Sequence, residues 1–186
     1  MKGTRAFIAA DISNKYAIEK LQQELLQIGR WHDHDVRRVE RQNLHFTLIF
    51  LNEIDVVTIE RIKNKLSELS FEPIKINYTS LGGFPASNFA KVIWVGVDEQ
   101  GKRKFISLAE SVTSKIKDIG IRPDKPFRPH MTIFRVKSGK LRLDEILSRY
   151  TMKTFGTDVI GRISLKMSTL TALGPTYSDM FTVHAK

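Results

Sequence analysis

The sequence predicts an α+β fold in which one unit of strands and helices is used twice about a pseudo-two-fold axis. Three observations predict it. Short stretches alternate apolar and polar residues, as half-buried antiparallel strands do. Between them run apolar residues at helical spacing. Strand-like segments then recur in the same order at a nearly constant offset.

The first element is the strand-like Ala6-Phe7-Ile8-Ala9-Ala10. Ile18, Leu21, Leu25 and Ile28 then form a helical stripe, with Ser13 as its expected N-cap and Gly29 near its end. A polar stretch, Trp31-His32-Asp33-His34-Asp35, leads to the basic run Val36-Arg37-Arg38-Val39-Glu40-Arg41 and the strand His45-Phe46-Thr47-Leu48. Ile59, Ile62, Leu66 and Leu69 mark a second helix capped by Asp55. The segments 74–82 and 91–97 read as strands, with Phe84 in a loop between them after Gly82-Gly83. Phe105, Leu108, Val112, Ile116 and Ile119 form a third stripe closed by Gly120. His130-Met131-Thr132-Ile133, a short helix from Leu141 to Leu147 and a strand over 160–173 complete the chain.

The repeat aligns Phe7 with Val92 and His45 with His130, each pair 85 positions apart, and Ile74 with Ile163, 89 apart. Each unit reads strand, helix, motif strand, helix, strand. The expected architecture is one bilobal domain over residues 1–186, with antiparallel sheets, outer helices and a central groove between related lobes.

The motif strands carry the chemistry. Successive side chains of a strand point to opposite faces, so His45 shares a face with Thr47, and His130 with Thr132. Alternation assigns Leu44, Phe46, Leu48 and Phe50 to the other face, and Met131 and Ile133 likewise. A core has no need of an imidazole and a hydroxyl on one face. Imidazole takes or gives a proton near neutrality, and a hydroxyl donates to phosphate oxygens. One histidine from each lobe across a groove is the arrangement that general acid–base cleavage of a phosphodiester requires. Which of them is acid and which base stays open, because the motifs are near-equivalent.

The net charge of +10 and pI near 9.9 favour a polyanionic partner, RNA first. The absence of cysteine excludes disulfides and thiolate nucleophiles or ligands. No apolar run is long enough to span a bilayer, and the first residues lack a signal-peptide core, so a cytoplasmic, monomeric protein without membrane attachment is expected. His32, Asp33, His34 and Asp35 read as a solvated linker rather than a metal site. Neither a phosphate-binding Gly-rich loop nor a nucleophile elbow is present.

His45-Phe46-Thr47-Leu48 and Arg128-Pro129-His130-Met131-Thr132-Ile133-Phe134-Arg135 resemble the paired motifs of the 2H phosphoesterase superfamily. Ala6-Phe7-Ile8-Ala9, Leu81-Gly82-Gly83-Phe84-Pro85 and Trp94-Val95-Gly96-Val97 are similar to its RNA 2′,3′-cyclic phosphodiesterase branch, also called LigT-like or 2′-5′ RNA ligases. The resemblance covers nearly the whole chain and departs from the family at none of the four motif positions. It implies metal- and cofactor-free hydrolysis of an RNA 2′,3′-cyclic phosphate to a 2′-phosphomonoester. His45 would then be the proton donor and His130 the proton acceptor, with Thr47 and Thr132 binding the phosphate. Arg135 falls on the wrong face by parity, yet the family motif places an arginine there, and a bulge would turn it inward. Arg128 and a base-stacking Phe84 are further candidates for substrate contact. The same residues run in reverse would join tRNA halves as a 2′-5′ ligase. A groove that binds RNA without turnover is the rival from another class.

Overall fold

The computed structural model describes residues 3–123, 126–137, 139, 141–151, 153–171 and 174–186. In chain order the elements are β1 (Thr4–Asp11), α1 (Lys15–Gly29), β2 (Val36–Arg38), β3 (His45–Ile54), α2 (Val56–Ser67), β4 (Ile74–Phe84), β5 (Val92–Val97), α3 (Glu99–Ile116), β6 (Met131–Val136), α4 (Asp144–Tyr150), β7 (Thr154–Ile160), β8 (Arg162–Thr171) and β9 (Gly174–His184). All strand pairs are antiparallel, in a four-stranded sheet of order β3-β1-β8-β9 and a five-stranded sheet of order β2-β6-β5-β4-β7.

The sheet orders expose the duplication and add a feature that the repeat alone did not. Strands β3, β1 and β8 of one sheet correspond to β6, β5 and β4 of the other. Thus β4, from the first repeat, lies in the second sheet, and β8, from the second repeat, lies in the first. The repeats exchange their third strands, so neither lobe is built from one continuous stretch of chain. Helix α1 packs on β6 and β7, while α3 touches β3 and β4, one strand from each sheet. A single apolar core runs through both halves.

Capping follows the local chemistry. Asp55 accepts from the Thr58 N–H at 2.7 Å at the start of α2. Gly120, at φ +86°, ends the 3-10 turn that extends α3. At α1 the cap is Asn14 rather than Ser13, because the Asp158 carboxylate takes the backbone N–H groups of Ser13 and Asn14, both at 2.9 Å. The expected strand over 160–173 breaks at Gly161 into the end of β7 and the whole of β8; positions 172 and 173 lie outside the described residues. Phe84 is the last residue of β4, not a loop residue.

The main departure lies in β3. Leu48 and Ile49 are both buried and the pairing with β1 slips beside them, so strict alternation fails after the motif. Phe50 therefore leaves the core face that parity assigned it and stands 63% exposed on the groove side. The second motif strand does the same. Ile133 and Phe134 are both buried, the β5–β6 register slips there, and Arg135 turns to the groove. Leu48 and Ile133 are 85 positions apart, so the bulge belongs to the repeated unit.

Phe46, between the two groove-facing residues of the first motif, is fully buried and lies 4.9 Å from the Phe105 ring and 6.5 Å from that of Tyr78. It anchors the motif strand to α3 and to β4 of the opposite sheet. Replacing Phe46 with Ala is expected to cost about 3–5 kcal/mol, read as a lower denaturant midpoint at unchanged slope.

Candidate active site

His45, Thr47, His130, Thr132 and Arg135 line one cavity of about 860 Å³ between the sheets. The two histidines are held alike. The ring of His45 lies 2.8 Å from the Asn43 carbonyl through Nδ1, and that of His130 lies 2.7 Å from the Arg128 carbonyl. Asn43 and Arg128 are themselves 85 positions apart. A carbonyl only accepts, so each Nδ1 carries the hydrogen and each Nε2 is the nitrogen free to exchange a proton. In its neutral form His45 accepts at Nε2 from the Thr47 hydroxyl, 3.1 Å away.

Aromatic rings complete each setting. Phe7 stacks on His45 at 4.9 Å and Tyr177 meets it edge-on at 5.2 Å. Phe84 meets His130 edge-on at 5.0 Å, and Trp94 lies 6.4 Å from it. Trp94 fits because residue 82 is glycine: a Cβ there would stand 2.1 Å from the indole ring. Phe84 packs edge-on against His130 but does not itself line the cavity. Arg128 is exposed and contributes its carbonyl, while its guanidinium lies outside the groove lining. Arg37 and Arg38 line the groove; Arg41 pairs instead with Glu19.

Beneath His45 lies a polar network that sequence reasoning missed. Asp11 sits opposite His45 in the β1–β3 register, and both Asp11 and Lys166 are buried. The Lys166 ammonium contacts Asp11 at 2.9 Å and also pairs with Asp179. Arg162 and the Ser164 hydroxyl reach the other Asp11 oxygen at 3.1 and 2.7 Å. The visible signal was the run Ser164-x-Lys166-x-Ser168 between apolar Ile163, Leu165 and Met167, a polar face on a strand whose other face is core.

Burial lowers the pKa of His45 to about 4; the Lys166 ammonium and, less strongly, Arg135 push the same way, against the Asn43 hydrogen bond and the Asp11 carboxylate. His45 is therefore neutral at pH 7 in the free protein. Gln22 holds the second bulge. Buried on α1, it donates to the Val39 carbonyl at 2.9 Å and to that of Ile133 at 2.8 Å, fixing the residue whose displacement aims Arg135 inward.

A family model described as the 2′-5′ RNA ligase superfamily matches residues 7–160. A protein of Archaeoglobus fulgidus named RNA 2′,3′-cyclic phosphodiesterase is 36% identical over 178 residues, covering 95% of this chain and 97% of that one. One of the same name from Aquifex aeolicus is 39% identical over 188 residues, 96% of this chain and 95% of the other. Among solved structures, E. coli LigT complexed with 3′-AMP superposes with a TM-score of 0.78 at 20% identity, over 99% of each chain. A Thermus thermophilus protein does so at 0.76 and 23% identity, over 97% of each. At these identities the two structures speak for the fold.

The imidazole resonances of His45 are expected to titrate near pH 4 in an NMR pH series. Lys166→Met removes a charge that disfavours the imidazolium, so that midpoint should move to higher pH. A midpoint unchanged by the substitution would show that Lys166 does not act on the ring.

Proposed function

The chain belongs to the 2′-5′ RNA ligase superfamily, and we propose that it is an RNA 2′,3′-cyclic phosphodiesterase, opening the ring to leave a 2′-phosphomonoester. The observation that carries the reading is the matched setting of His45 and His130. Two Nε2 atoms, each freed by an Nδ1–carbonyl hydrogen bond, face one cavity from related strands. The curated relatives' shared name supplies the substrate class.

In this reading His130 takes a proton from water as its oxygen bonds to phosphorus. The bond from phosphorus to the 3′-oxygen breaks, and His45 gives that oxygen a proton. Thr47, Thr132 and Arg135 hold the non-bridging oxygens, whose charge grows in the transition state. No metal is needed, since the acid and base are side chains. Because His45 is neutral in the free protein, its proton must arrive with the substrate, whose phosphate charge would offset Arg135 and Lys166.

The test uses a short RNA ending in a 2′,3′-cyclic phosphate, with EDTA present. Wild type should yield a 2′-phosphate end, and His45→Ala and His130→Ala should each lose roughly 100- to 10,000-fold in rate. Retained binding without turnover by the wild type would make the groove a binding site instead.

The donor role has its own test. On the His130→Ala background, binding of the cyclic phosphate at neutral pH should take up about one proton per site, read by calorimetry in buffers of different ionisation enthalpy. Binding without uptake would make His45 the base and reverse the two assignments.

A further inference from the structure

The groove continues past the reacting phosphate. Along β3, His45 and Thr47 are followed on the groove face, after the bulge, by Phe50 and Asn52. Asn52 lies seven positions after His45, about 23 Å at the usual strand rise. The walls change character over that length. Near His45 they are imidazole, hydroxyl and aromatic rings already packed on one another; the lining also includes Phe50, 63% exposed, Leu170, 71% exposed, and Arg5.

Phe50 is the first-repeat counterpart of Arg135, each five positions after its motif histidine, and each is turned inward by the same bulge. One repeat uses this position for a guanidinium suited to phosphate. The other places there an aromatic ring, 6.3 Å from Phe7 and open to solvent on its remaining side. Exposed aromatic and aliphatic side chains in a cleft whose described lining holds the cations Arg5, Arg37, Arg38 and Arg135 and the acid Glu40 fit an anionic chain that also carries flat apolar faces. Single-stranded RNA has that chemistry; an acidic peptide has the charge without the bases.

We infer that this outer half of the groove is a subsite for single-stranded RNA on the 5′ side of the terminal nucleotide, with a base stacked on Phe50, a backbone phosphate held by Arg5 and Leu170 as a further apolar surface of the same groove. The inference rests on the proposed phosphodiesterase reading and extends it from the reacting end to the preceding nucleotides. It makes the enzyme selective for oligonucleotide ends over free cyclic nucleotides.

The experiment compares kcat/KM on a nucleoside 2′,3′-cyclic monophosphate and on a single-stranded tetranucleotide ending in the same group. The wild type should prefer the tetranucleotide by about tenfold or more. Phe50→Ala and Arg5→Ala should lower that preference, and Phe50→Trp, which keeps a stacking face, should restore it. Equal kcat/KM for the two substrates in the wild type, or a preference that survives Phe50→Ala, would overturn the subsite. If neither substrate turns over, the phosphodiesterase reading fails, and fluorescence anisotropy with a labelled tetranucleotide ending in a 3′-hydroxyl decides the subsite alone. Binding weakened by Phe50→Ala and retained by Phe50→Trp upholds it. Binding indifferent to residue 50, or matched by an acidic peptide of equal charge, overturns it.

Discussion

Each motif strand must bury one face in the core and present the other to the groove, and the rest of the site depends on how it does both. Strict alternation would satisfy the demand for His45 and Thr47 and then send the next large side chain into the core. A bulge at Leu48–Ile49 and another at Ile133–Phe134 break the alternation just past each histidine pair. Two consecutive apolar residues are buried, and the residue after them swings outward. That one-residue slip is what aims Arg135 into the same cavity as the histidines, and it puts Phe50 there by the same geometry.

Around these strands several contacts hold the groove's shape. The exchange of β4 and β8 between the sheets means that each wall is completed by chain from the other repeat. Phe46 ties the first motif strand to Tyr78 on the opposite sheet and Phe105 on α3, and Gln22 ties the second bulge to α1 and to the segment following β2. Acid–base chemistry on one phosphorus requires the two rings to keep fixed relative positions, and these contacts supply that constraint. The duplicated environments then diverge where duties differ: His45 sits above the buried Asp11–Lys166 pair, which the exposed Asp179 joins from the surface, whereas His130 is flanked by Phe84 and Trp94.

Much of this was legible from the residues. Two His-x-Thr motifs at a constant offset, strand-like neighbours and helical stripes between them lead to the duplicated α+β architecture and to His45, Thr47, His130 and Thr132 in the groove; Arg135, which parity sent to the other face, was expected there only from the family resemblance. What escaped did so for identifiable physical reasons. Parity misplaced Phe50 because a bulge leaves no mark in composition beyond a pair of adjacent apolar residues. Ser13 lost the cap of α1 to Asn14 through the carboxylate of Asp158, a partner 145 residues away. Strand exchange between repeats is a property of topology that an internal repeat does not encode. Lys166 and Asp11, 155 positions apart, meet only because β1 pairs with β8, which no local pattern in the sequence marks. Family membership and the relatives bear on fold and substrate class; the geometry places His45 and His130 on one cavity, and the assignment of donor and acceptor between them comes from the family resemblance.

The central claim is that His45 and His130 act on one phosphorus from opposite sides, with water entering as the 3′-oxygen leaves. The stereochemical course at phosphorus tests it most directly, using a 2′,3′-cyclic phosphorothioate of known configuration hydrolysed in isotopically labelled water. Direct in-line displacement inverts the configuration, and inversion is the predicted result. Retention would require two successive displacements through a phosphorylated side chain, and would contradict an account in which both histidines only move protons.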